Sequence, residues 1–109
     1  PGTGRFSEAN CLNFPLPSNT GDEKYLETLK KALSQVDKDK YEVIALSAGF
    51  DCHKGDLASL DLTSNCFKEI GKILRSLGKP VFGVLEGGYI GENVGNDVHN
   101  LIQGLEGEV

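Results

Sequence analysis

Two short stretches of this sequence bring together side chains that could do chemistry. Gly49-Phe50-Asp51-Cys52-His53 follows the apolar run Val43–Ala48, and Glu86-Gly87-Gly88-Tyr89 follows the apolar run Val81–Leu85. In open α/β sheets ligands collect at the carboxyl ends of strands, which is where both stretches would sit. A carboxylate such as Asp51 can hold a divalent cation. A tyrosine hydroxyl on a flexible Gly-Gly loop, such as Tyr89, can donate to a carbonyl oxygen as it becomes an oxyanion. If the two runs are neighbouring strands, both groups face one crevice and suit metal-assisted hydrolysis of an amide.

Each residue also has a plainer reading. An aspartate after a strand commonly caps a helix or closes a turn. Asp51 and His53 stand two apart, so an extended backbone would put them on one side as an Asp-x-His pair; a histidine in a loop is more often solvent-facing than a ligand. Cys52 reads as a small packing residue, since no base partner can be named for it. Gly87-Gly88 could be a tight turn, and Tyr89 a half-buried ring whose hydroxyl reaches a backbone group. The glycines between 83 and 95 form no GxGxxG fingerprint.

The elements that must position these loops alternate along the chain. Cys11–Leu16 reads as a modest strand that ends in prolines. Thr20 and Glu23 have the spacing of a capping box, and Leu26, Leu29, Leu33 and Val36 form one helical face behind them. Val43–Ala48 is continuously apolar, as expected of a parallel strand covered on both sides. A second helix carries Leu62, Phe67, Ile70, Leu74 and Leu77 and stops at Gly78. Pro80 opens the third strand, and Val94, Val98, Leu101, Ile102 and Leu105 mark a last helix. The order β-α-β-α-β-α predicts one α/β segment over 1–109: three layers, α/β/α, around a mostly parallel sheet.

Composition narrows the classes of function. The chain has 109 residues, 39% hydrophobic and 25% charged, as in an ordinary folded domain. Its net charge of −5 and scattered Lys and Arg argue against a nucleic-acid partner. No apolar stretch reaches the roughly 20 residues that cross a bilayer, so no membrane partner is expected. Three separated cysteines, without a CxxC pair, support neither a zinc knuckle nor a disulfide framework and favour a reducing, cytoplasmic setting. The opening Pro1-Gly2-Thr3-Gly4-Arg5 reads as a point within something longer rather than a natural start.

Ser47-Ala48-Gly49-Phe50-Asp51, Gly55-Asp56, Leu60-Asp61-Leu62-Thr63 and Leu85-Glu86-Gly87-Gly88-Tyr89, taken together, resemble the C-terminal third of the histone deacetylase superfamily. Pro1-Gly2-Thr3-Gly4, Asn13-Phe14-Pro15-Leu16-Pro17 and Gly21-Asp22-Glu23-Lys24-Tyr25-Leu26 match in the right order, so the likeness spans nearly the whole chain. Glu86 before the Gly-Gly-Tyr resembles the bacterial, archaeal and class II style, including acetoin-utilisation proteins and acetylpolyamine amidohydrolases. The resemblance implies the last three strands of an arginase-like sheet. The latter two would be parallel neighbours, and the first would be displaced or joined to a second chain.

It also implies a zinc-dependent deacetylase acting on acetyl-lysine or an acetylpolyamine. Asp51 matches a zinc ligand, Tyr89 the tyrosine that polarises the acetyl carbonyl, and Gly87 and Gly88 the loop that carries it. His53 and Cys52 match no ligand position. Ala58 stands where a larger side chain lines the acyl-lysine channel, which leaves the shape of the substrate open. The family's paired histidines and its Asp-x-His ligand pair lie upstream of the matched part. One of three protein zinc ligands is therefore present, and the chain alone is expected to be inactive, to hold no zinc tightly, and to be able to self-associate. Two other readings stay open: a non-catalytic α/β interaction module that keeps the family sequence, and a flavodoxin-like nucleotide-binding domain. The latter would need a Gly-rich phosphate loop where Pro15-Leu16-Pro17 stands.

Overall fold

The computed structural model describes residue 7 and residues 10–107; the opening Pro1-Gly2-Thr3-Gly4 lies outside the described residues. Helix α1 spans Asp22–Ser34, strand β1 Ile44–Ala48, helix α2 Ser64–Arg75, strand β2 Val81–Leu85 and helix α3 Gly91–Glu106. The strands pair in parallel and in register, from Ile44↔Val81 to Ala48↔Leu85. Such a pair needs a crossover, which α2 supplies, so the chain is an α/β unit.

The core lies between the helices and one face of the sheet. Phe50, Leu62, Cys66, Phe67, Ile70, Leu74 and Leu101 are buried in one cluster, with Leu46, Ala48 and Val81 packed against it from the strands. Phe50 and Phe67 stack in a tilted pair, ring centroids 5.1 Å apart. The centre of this core is a close crossing of α2 and α3 through two glycines. A β-carbon on Gly104 would lie 2.1 Å from the Lys68 carbonyl oxygen, and one on Gly71 would lie 2.6 Å from that of Leu101. The two backbones touch because neither residue has a side chain. Gly107, at φ 79°, then ends α3 in the left-handed conformation.

Four expectations need correction. Residues 12–16 form no strand: Pro15 and Pro17 cannot donate to a ladder, and Phe14 and Leu16 instead line a shallow cavity with Tyr25 and Leu29 of α1. Thr20 does not cap α1; its hydroxyl donates to the Pro17 carbonyl, and Gly21 holds the N-cap position without a side-chain bond. The start of α1 is instead pinned by Asp22, whose carboxylate accepts from both the amide and the hydroxyl of Thr63. Leu62, fully buried, precedes α2 rather than belonging to it, and pairs with His53 in an isolated parallel bridge. Finally, β1 is covered on one side. Ile44, Leu46 and Ala48 face the helices, while Ala45 and Ser47 are exposed beside Phe82 and Val84 of β2.

Two predictions follow from this packing. Gly104→Ala should cost about 1–3 kcal/mol despite alanine's better helix propensity, because backbone rather than a movable side chain blocks the new methyl. Denaturant unfolding of the pair would read it, and an unchanged midpoint would refute the close crossing. Burial, reinforced by neighbouring thiols, raises the Tyr25 phenol from 10.0 to about 12. Burial and the Asp22 carboxylate raise the Cys66 thiol from 9.0 to about 12. The unfolded chain therefore loses these protons first, so stability should hold below pH 9 and fall as pH rises from 9 towards 12. Thermal melts across that range measure it.

Candidate active site

Residues 49–62 leave β1 as a looped segment that returns to the core. A single 3-10 turn, Phe50–Cys52, buries Phe50 and leaves Asp51 partly exposed. Residues 86–90 leave β2 as an irregular segment that enters α3. Equal strand register puts both departures at one level, and backbone bonds join them there. The Glu86 amide donates to the Ala48 carbonyl at 2.9 Å, and the Phe50 amide to the Gly87 carbonyl at 2.8 Å.

The two loops meet at the Asp51 carboxylate. A β-carbon on Gly87 would lie 2.8 Å from both Cγ and Oδ1 of Asp51, so any side chain there would displace the carboxylate. Gly88 follows at φ 136°, where an added β-carbon would lie 2.8 Å from Val94 Cγ2 and 3.1 Å from Phe50 Cβ. Gly87-Gly88 is thus more than a loose turn: one glycine makes room for a carboxylate and the next takes a backbone shape barred to other residues. Tyr89 emerges from this turn 65% exposed, so its ring is no half-buried packing residue. Asp51 caps no helix and accepts no side-chain hydrogen bond among the described residues, which leaves its oxygens available to a cation. Ala58 is exposed, and its amide donates to the Asp51 carbonyl at 3.1 Å; Leu57 beside it is also exposed.

Asp51 and His53 diverge, which disposes of an Asp-x-His pair here. His53 Nδ1 lies 2.7 Å from Oδ2 of Asp97 in α3. Asp97 is fully buried, and its Oδ1 accepts from the Ser64 hydroxyl at 2.7 Å. One carboxylate thereby ties the loop after β1, the start of α2 and the body of α3. The sequence reading missed Asp97, although a signal was present: it lies on the apolar stripe of Val94, Val98 and Leu101, where a charge needs a partner. Cys52 is half-buried, and its thiol is raised by burial, then by Asp51 and Asp56, which disfavours a thiolate nucleophile. Among the described residues no group of three or more His, Cys, Asp or Glu side chains could hold a metal ion. Asp51 fits one coordination position, whereas a catalytic zinc takes three protein ligands.

Residues 1–105 match the histone deacetylase domain. The chain belongs to that family. It is 36% identical over 117 residues to a probable deacetylase of Methanothermobacter thermautotrophicus, covering 99% of this chain and 35% of that protein. It is 29% identical over 97 residues to acetylpolyamine amidohydrolase 2 of Pseudomonas aeruginosa, covering 88% of this chain and 28% of that one. The structure superposes on an acetylpolyamine aminohydrolase from Burkholderia pseudomallei with a TM-score of 0.78 and 26% identity, over 85% of this chain and 28% of that one. For the histone deacetylase Clr3 the TM-score is 0.79 at 26% identity, over 90% and 17%. The histone deacetylase fold implied by the sequence motifs is thus the fold of this chain, which spans about a third of the curated relatives it matches.

The Asp97 tie yields a prediction. Asp97→Ala strands the buried ends of His53 and Ser64 and should cost about 3 kcal/mol. Asp97→Asn, which keeps the shape, should cost less. Equal midpoints for Asp97→Ala and the parent chain in denaturant would refute the tie.

Proposed function

We propose that this chain is part of a zinc-dependent deacetylase that hydrolyses the amide of an acetylated amine, an acetyl-lysine side chain or an acetylpolyamine. The observation that carries the reading is the seating of the Asp51 carboxylate against Gly87 in the loop that presents Tyr89. The names of the relatives, deacetylases and acetylpolyamine amidohydrolases, support the same class.

In this reading Asp51 is one ligand of the metal, which when bound would supply Lewis acidity and a nucleophile. Tyr89 holds its hydroxyl proton toward the acetyl carbonyl oxygen and stabilises the negative charge that develops there. Gly87 and Gly88 let the tyrosine approach, and Ala58 stands where a larger side chain lines the acyl-lysine channel in the family. The chain has two histidines, of which His53 is engaged by Asp97 and His99 is exposed on α3. No paired-histidine base is therefore available within the chain, and the 109 residues alone should not turn over acetylated substrates.

In the full-length protein, Asp51→Ala should abolish metal retention, read by metal analysis of the purified enzyme. Tyr89→Phe should keep the metal and lose about 10²–10³ in rate. Should both variants keep metal and rate, the chain is a non-catalytic module instead.

A further inference from the structure

The Tyr89 loop is held at its start by the Phe50–Gly87 backbone bond, after which Gly88 adds freedom and Tyr89 is mostly solvent-exposed. A donor that must meet a developing charge gains nothing from such freedom, since preorganisation is what makes the interaction effective. The second anchor is a side chain from the other loop. Asp56 Oδ2 accepts from the Tyr89 amide at 3.0 Å, while its Oδ1 accepts from the Leu57 amide at 2.7 Å. Asp56 is presented by a turn in which its own amide donates to the His53 carbonyl at 3.0 Å and Gly55 takes φ 90°.

We infer that Asp56 is the positioning residue for Tyr89, clamping the backbone on which the tyrosine turns and joining it to the Asp51 loop. Resting on the role proposed above for Tyr89, this assigns to Asp56 an effect on the reaction without contact with substrate or metal. The amides favour its ionised form: the Tyr89 N–H is the largest cause holding the Asp56 carboxyl below its ordinary value, with Leu57 and Ile90 adding to it. Charge-assisted bonds of this kind are shorter and stronger than neutral ones. With one oxygen on the Tyr89 amide and the other on the Leu57 amide, the carboxylate ties the peptide that carries the tyrosine to the opposite loop. Asparagine would keep one acceptor and present an N–H to the other amide, so the clamp needs a carboxylate.

A double-mutant cycle in the full-length, metal-loaded protein tests this, with acetyl-lysine peptide and acetylpolyamine as substrates. Asp56→Ala should lower kcat about 10–100-fold with little change in KM and unchanged metal content. Asp56→Asn should fall between it and wild type, and carries the test if Asp56→Ala does not fold. In a Tyr89→Phe background either change should cost less than about 2-fold, because the group it positions has gone. Equal losses in both backgrounds, or metal loss on changing Asp56, would overturn the inference and leave the role of Tyr89 standing. A Tyr89→Phe enzyme with near wild-type rate would overturn both.

Discussion

Everything at the candidate site depends on the in-register parallel pairing of β1 with β2. Because Ala48 stands opposite Leu85, the two chains leave the sheet at the same level, and the next backbone bonds, Glu86 to Ala48 and Phe50 to Gly87, extend the ladder beyond the strands. A slip of one residue would reverse the facing of β2 and carry Gly87 away from Asp51. The meeting of carboxylate and glycine loop is thus a consequence of strand register first and of loop chemistry second. Register in turn is held by the core face, where Leu46, Ala48 and Val81 pack on the helices.

Below that level the helices make the geometry rigid in different ways. The α2–α3 crossing is set by contact of backbones at Gly71 and Gly104, which fixes where α3 begins relative to the sheet. Asp97, from the first half of α3, then reaches back to His53 and Ser64. A buried carboxylate is costly unless its oxygens are satisfied, and here each oxygen has a partner. The same helix follows directly on the Tyr89 segment. Motion of that segment is therefore resisted at both ends, by the Gly87 carbonyl bond before it and by a helix locked to the opposite loop after it.

Much of this was legible in the sequence, for physical reasons that differ by element. The strand Val81–Leu85 is bounded by Pro80 and the glycine pair, signals that are local, and it falls where expected. Asp51, Gly87, Gly88 and Tyr89 were visible as candidate chemistry at strand ends, and the structure adds that Gly87 lies against the Asp51 carboxylate. What escaped depends on partners distant in the chain. Thr20 and Glu23 have capping spacing, yet the start of α1 is claimed by Thr63, 41 residues away from Asp22. Asp97 and His53 are 44 residues apart, and neither has meaning alone. Asp56 belonged to a recognisable Gly-Asp pair, but its function lies in which amides it meets, and no local pattern encodes that.

The bare face of the sheet follows from the same logic. Val43, Phe82 and Val84 are each slightly more than half exposed, although the runs containing them are as apolar as strands enclosed on both sides. Parallel sheets are found almost only with both faces covered, because their strands carry apolar side chains in both directions. Here the helices cover one face, so the three-layer arrangement implied by the apolar runs is present as two layers among the described residues. Among the described residues both strands are also sheet edges, with no strand paired along their outer sides. Sequence pattern reports the environment a strand is made for, whereas the structure reports the cover these residues themselves supply. The gap between the two lies on the sheet face away from the helices and along the edges. The ends of β1 and β2, where Asp51 and Tyr89 emerge, are closed by their own loops, and so the site keeps its geometry while the sheet remains open.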